Sequence, residues 1–257
     1  MVPLKLAFGE HVFLDKVTIT ADDFYSHLER SPVHPTTSQP SVTEFRNLYS
    51  FLGSHYESVI AIHLSGRLSG TWNTSRVAAE QVADRRITVM DSRNLSGALG
   101  LIVLRAAEAI EAGTDHETLT RLLEEWIART AIYVSVPSLK YMVRGGRVSP
   151  MKGKIANWLN LKPIVSLDRE GRSMLYGKSF SQAGSQRKML QLAADFQRRG
   201  AIWNYSVFHA HAAAQAHQCR LELEKLLGKP PAYVMDISPI IGLNAGSGAV
   251  AIALMQV

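Results

Sequence analysis

Short, mostly apolar runs that alternate with amphipathic segments constrain this chain more than any other feature. Val59-Ile60-Ala61-Ile62-His63, Ile87-Thr88-Val89-Met90 and Ile132-Tyr133-Val134-Ser135-Val136 are too short for helices and rich in β-branched residues, as buried strands are. Helix formers fill the gaps: Trp72 to Ala83, Leu95 to Ala112, and a stretch to Ala128 that Thr114 and Glu117 open as a capping box. Strand, helix, strand, helix, helix, strand predicts a right-handed parallel α/β layer. Ligands of such sheets bind beyond the carboxyl ends of the strands, where the loops at Ser69, Asp91 and Pro137 fall.

The flanking segments extend this pattern. Val2, Leu4, Leu6 and Phe8 alternate, and Gly9-Glu10 turns the chain into a second extended run from Val12 to Ile19. Thr20 and Asp23 start a short helix to Glu29, and Ser31-Pro32 and His34-Pro35 break it. Ser41 and Glu44 form a capping box for a helix from Val42 to Leu52, which leaves the hydroxyls of Thr36, Thr37 and Ser38 without an evident local task. Composition changes after Pro137. A basic, glycine-bearing loop, Tyr141 to Arg147, is followed by Lys152, Lys154 and Lys162. Pro163–Asp168 and Ser173–Gly177 read as a hairpin. Then come a helix from Ser181 to Arg198, a strand to His209, a helix from Ala212 to Leu227, a strand to Ile237, a polar glycine-rich turn at Asn244 and a closing strand to Met255. The expected architecture is two α/β domains, 1–137 with a parallel Rossmann-like layer and 138–257, with a ligand cleft between them.

Composition excludes several classes. In 257 residues, 46% hydrophobic and 19% charged content are those of a folded globular chain. The lone Cys219 rules out an internal disulfide framework and fits a reducing compartment. A formal charge of +6 suggests an anionic partner or surface, but the basic residues are scattered and no nucleic-acid motif is present. Arg105, Glu108 and Glu111 interrupt the longest apolar stretch, and Glu10 closes the first one, so neither a membrane span nor a signal peptide is expected. The expected location is the cytoplasm.

The most informative loop is Leu64-Ser65-Gly66-Arg67-Leu68-Ser69-Gly70-Thr71, which hands a strand over to a helix. Free N–H groups and the helix dipole suit a small anion there. Ser69 or Thr71 acting as an ordinary cap explains the same residues. The glycine spacing is not that of a G-x-S-x-G nucleophile elbow, so a Ser69-dependent hydrolase or acyltransferase is the weaker reading. His209 and His211 share a strand face but have no acidic or cysteine partners for zinc, and no metal site or cofactor is expected. Gly246 to Ala251 satisfies a dinucleotide fingerprint only formally, with too few residues after it for a βαβ unit, and no Walker A loop occurs. Thr37, Ser38, Ser69, Thr71 and Asn244, set among apolar helix surface, suit a ligand with a carboxylate head and an apolar tail.

Thr37-Ser38-Gln39-Pro40-Ser41, Leu68-Ser69-Gly70-Thr71, Val89-Met90-Asp91-Ser92, Gly145-Gly146-Arg147, Leu161-Lys162-Pro163-Ile164 and Ile241 to Gly248 occur in the order seen in the DegV family, which the chain resembles over essentially its whole length. The resemblance implies a bacterial long-chain fatty-acid carrier without enzymatic activity of its own. It would present the fatty-acid carboxylate to a separate ATP-dependent fatty-acid kinase that makes an acyl phosphate for phospholipid synthesis. It implies that Thr37 and Ser69, helped by the Gly70 backbone, hydrogen-bond the carboxylate, with Ser38, Thr71 and Asn244 completing the expected carboxylate site, and that Arg144 and Arg147 face the kinase or an anionic membrane surface. In that family a histidine usually stands at the place of Asn244 and a proline at that of Ser247. Asparagine donates hydrogen bonds but brings neither a proton nor a charge. The family usually opens with a strand and an Asp-Ser-Thr segment ahead of Val2-Pro3-Leu4, so a first domain lacking that strand is expected. Those departures leave a degenerate, non-binding interaction protein as a further alternative.

Overall fold

The computed structural model describes residues 1–30, 34–82, 85–147 and 161–257. Lys152, Lys154, Ser31, Pro32 and Ala83, named above, lie outside the described residues. The chain is an α/β protein with two α/β units, built on three sheets.

A small antiparallel sheet opens the structure. β1 (Lys5–Phe8) and β2 (His11–Leu14) form the expected hairpin, with Gly9 at φ +60° in its turn. Helix α1 (Ala21–Arg30) follows, started by Thr20, whose hydroxyl donates to Asp23 at 2.6 Å. Thr36 to Ser38, to which the sequence pattern gives no element, form a strand, β3 (Thr36–Ser38), because β1 offers a free edge on which Leu6 pairs with Thr37. Helix α2 (Val42–His55) begins with the Ser41–Glu44 capping box, and those hydrogen bonds, foremost the one from the Ser41 hydroxyl, hold the Glu44 carboxyl down at about 2.

The first α/β unit is a βαβ crossover: β4 (Ser58–His63), α3 (Thr71–Glu80) and β5 (Arg86–Asp91), with the strands parallel and in register from Ser58↔Arg86 to His63↔Asp91. Phe45, Tyr49 and Ala78 fill the space between this pair and α2 and α3. Helix α4 (Ser96–Glu111) then crosses to the second unit, and α5 (His116–Ala128) packs beside it. Asp115 caps α5, accepting from the N–H groups of Glu117 and Thr118 at 3.0 Å; the expected Thr114 box does not form.

Strand β6 (Thr130–Ser135) corrects the sequence expectation most clearly. It was expected as the third parallel strand of the first layer; it lies antiparallel in another sheet, between β11 (Val250–Gln256) and β7 (Lys162–Leu167). A run of apolar residues reports burial on both faces and is silent on strand direction. Helix α6 (Lys140–Arg144) follows β6, where a loop was expected. The six-stranded sheet is completed by β8 (Ser173–Ser179), β9 (Ile202–His209) and β10 (Tyr233–Asp236), with order β10-β9-β11-β6-β7-β8. Helices α7 (Gln182–Arg198) and α8 (Ala213–Leu227) cover one face and α4 covers the other. β11 shows why the sheet is the rigid centre: Val250, Ile252 and Leu254 enter the core under α7 and α8, while Ala251, Ala253 and Met255 enter the core under α4.

The glycine-rich stretch around Asn244, expected as a turn, is a short helix, α9 (Pro239–Ala245), with Pro239 at its first position.

Candidate functional site

A cavity of about 610 Å³ lies where these sheets meet, within the range of small-molecule sites. Ile132 and Val134 of β6 and Val165 and Leu167 of β7 give it an apolar wall, and Ile240 and Ile241 of α9 add to it. Most of its polar groups come from elsewhere: Thr37, Ser38 and Gln39 around β3, Ser69 and Gly70 before α3, and Asn244 on α9; Ser166 of β7 and Ser173 of β8 are the polar residues of the wall sheet that also line it. Ser38, Gln39 and Gly70 are exposed, so the polar part of the cavity reaches solvent.

The loop from Leu64 to Gly70 is fixed from several directions. Ser65 donates its N–H to Asn94 O at 2.8 Å, and the Ser69 N–H returns to Ser65 O at 3.1 Å. The Asp91 carboxylate, at the end of β5, accepts from the Gly66 N–H at 3.1 Å and from the Arg93 N–H at 2.8 Å. On the other side, Ser65 Oγ donates to Gly171 O at 2.8 Å, tying the loop to the β7–β8 turn of the second unit. Gly171 sits at φ +83° against Ser65, a position that a side chain could not occupy without displacing the hydroxyl. The loop is therefore braced by the protein's own hydrogen bonds.

Ser69 Oγ lies 2.8 Å from Thr71 Oγ1 and accepts from the Thr71 N–H at 3.3 Å. It thus makes a local cap-like bond and lines the cavity at once. Among the described residues the Gly70 N–H has no protein partner. Thr71 itself is buried behind Ser69 and is not part of the cavity wall. Asn244 Nδ2 donates to Ile240 O at 2.9 Å, and its Oδ1 lies against Gly145, where a β-carbon would come within 2.0 Å. Arg147 lines the cavity beyond α6, and Arg144 is exposed on the last turn of α6, outside the lining. So the structure brings Thr37, Ser38, Ser69, Gly70, Asn244 and Arg147 to one cavity, and leaves Thr71 and Arg144 around it.

Behind the loop, His63 Nε2 is 2.6 Å from Ser75 Oγ, which also meets the Tyr49 hydroxyl. Burial pushes the His63 imidazole down to about 4, so near neutral pH it is an uncharged hydrogen-bonding partner joining β4 to α3. The other histidine pair separates: His209 is buried with Nδ1 2.7 Å from Asp236 Oδ1, while His211 lies past the strand, exposed, at φ +50°. Among the described residues no group of three His, Cys, Asp or Glu could hold a metal ion. No helix among them is long and apolar enough to cross a membrane.

Sequence reasoning missed Gln39 and Arg67, which also line the cavity, and the apolar wall from β6 and β7. Gln39 carried a signal, since it follows Thr37-Ser38 directly. The wall carried none, because it depends on where β6 pairs.

The profile of the DegV family, described as uncharacterised proteins, matches residues 1–257. The chain belongs to the DegV family. A DegV domain-containing protein of Staphylococcus aureus is 29% identical over 256 residues, an alignment that covers 100% of this chain and 91% of that protein. Among solved structures, DegV from Bacillus subtilis, described as a fatty acid binding protein, superposes with a TM-score of 0.91 at 29% identity, covering 100% of this chain and 91% of that one. A DegV family protein from Thermus thermophilus, whose structure describes fatty acid binding, has a TM-score of 0.91 at 26% identity, with the same coverage of 100% and 91%.

Proposed function

We propose that this DegV protein holds a long-chain fatty acid in the 610 Å³ cavity, with the acyl chain against β6, β7 and α9 and the carboxylate at Thr37, Ser38, Ser69 and the Gly70 N–H. The observation that carries this reading is the division of one cavity into an apolar wall and a solvent-reaching group of hydroxyl and N–H donors. Uncharged donors satisfy a carboxylate without burying a cation. Likeness to the Bacillus subtilis and Thermus thermophilus proteins supports the same ligand class. The protein, purified without added lipid, should release fatty acid in about equimolar amount on denaturing extraction, read by mass spectrometry. Repeated recovery of none would overturn the reading.

The exposure of Ser38, Gln39 and Gly70 further supports a carrier that presents the carboxylate to a separate ATP-dependent kinase, with Arg144 and Arg147 facing that partner or an anionic membrane surface. The carboxylate would then attack the γ-phosphate, and this chain would contribute position alone. Acyl phosphate, trapped as a hydroxamate, should form in a host extract with ATP only when this protein is present, and less with Arg147→Ala. Equal trapping without the protein would overturn the carrier reading. The cytosol suits such a role, and burial pushes the single Cys219 thiol up to about 12, which leaves it unreactive.

A further inference from the structure

β3 and the Ser69–Gly70 segment belong to different parts of the fold, and no strand pairing joins them. Yet Thr37, Ser38, Ser69 and Gly70 line one cavity. A head group gripped from both sides is held only as firmly as the two sides are held to each other. Among the described residues, the side-chain hydrogen bond between these segments is that of Gln39: its Nε2 donates to Thr74 Oγ1, on the first turn of α3, at 2.6 Å. The rest of that amide lies on Gly70. A β-carbon there would come within 2.1 Å of Gln39 Oε1 and 2.9 Å of its amide carbon. Gly70 has φ −69° and ψ −1°, values that any residue adopts, so its backbone does not call for glycine. Room for Gln39 does.

We propose that Gln39 is a positioning residue for the head group: it sets the spacing between the β3 hydroxyls and the start of α3, and residue 70 is glycine so that the Gln39 amide can lie across it. The inference rests on the fatty-acid reading above. It separates two roles that Gly70 could play, an unobstructed N–H for the ligand and a bed for Gln39, because only the second makes the two residues depend on each other.

The test compares binding of palmitate with that of methyl palmitate, which has the same tail without the charge, and follows the carboxyl resonance of palmitate carrying ¹³C at C1. Gln39→Ala should weaken palmitate about tenfold, leave methyl palmitate within about twofold and move the carboxyl resonance. Gly70→Ala should do the same, and the double variant should bind no more weakly than either single one. Gln39→Met keeps the length of the side chain without its donor; it should behave as Gln39→Ala does and serves in its place if the alanine variant does not fold. Equal loss for acid and ester would make Gln39 a structural residue and overturn the proposal. Losses that multiply in the double variant would overturn it too. Wild-type protein that binds neither ligand would overturn the fatty-acid reading itself; wild-type binding with Gln39→Ala unchanged would overturn this proposal alone.

Discussion

The two parallel or mixed sheets of this protein are built to different standards. In the six-stranded sheet, β11 is buried along almost all its length and feeds a core on each face. In the β4–β5 pair every residue of β4 is only half-buried; the core on its α2–α3 face holds few side chains, while Ile60, Ile62 and Met90 reach the large core on the other face. The cavity takes its apolar wall from the first and much of its polar grip from the loop that leaves the second. The contrast teaches a division of labour: the apolar wall is set in the better-packed sheet, and Ser69 and Gly70, two of the groups proposed to meet the carboxylate, stand on the loop of the less buried pair, where hydrogen bonds replace packing as the means of fixing them.

The largest effect should separate the sheets directly. Ile252→Ala, at a fully buried position of β11, should cost about 3–4 kcal/mol in urea unfolding, and Val89→Ala, half-buried on β5 against the small cluster, only about 1. Equal losses would break the comparison. The link between the units comes next. Gly171→Ala should cost about 2 kcal/mol, because its φ is +83° and its new β-carbon would meet Ser65 Oγ at 2.2 Å. Gly9→Ala, also at positive φ but with open space around it, should cost no more than about 1 kcal/mol in the same unfolding assay.

A smaller effect should appear in acid. The folded His63 resists protonation down to about 4, whereas the unfolded residue takes up a proton near 6.5. Between those values the unfolded state binds more protons, so the contribution is fully present above pH 6.5 and is lost as pH falls toward 4. After allowance for partial exposure it should amount to about 1–2 kcal/mol, and His63→Gln should flatten that part of the stability–pH curve. An unchanged slope would remove His63 from the support of the β4–β5 unit. The smallest effect belongs to the cap of α2. Ser41→Ala should cost about 1 kcal/mol, and the Glu44 carboxyl, followed by NMR titration, should rise from about 2 toward its ordinary range.

Much of the element order was legible because helices and strands here announce themselves locally. Ser41-x-x-Glu44, the alternation before Gly9 and the βαβ pattern from Val59 to Met90 all formed as read. What was not legible depends on partners distant in sequence. Thr36–Ser38 is a strand only because β1 leaves an edge for it, and β6 is antiparallel only because β11 and β7 flank it. α9 did carry a signal, Pro239 at the first helical position, but the glycines that follow it argue for a turn. The hydroxyls of the candidate site stood out as residues without a local task. Gln39 and the apolar wall emerged only when packing placed them beside those hydroxyls.

The antiparallel placement of β6 also bears on how the protein is made. Its partner β11 lies more than a hundred residues later, with Thr130 opposite Met255 and Ser135 opposite Val250. On a ribosome, β6 emerges about midway through the sequence and must wait for more than a hundred further residues before its ladder with β11 can close. Until then β7, about thirty residues downstream, is the partner strand available to β6, through Val134 and Ser135, and the β11 side of Ile132 and Val134 stays open. The βαβ crossover, whose contacts are nearer in sequence, can form first. The finished cavity wall is therefore acquired late in synthesis, after the βαβ unit that carries the Ser69 loop.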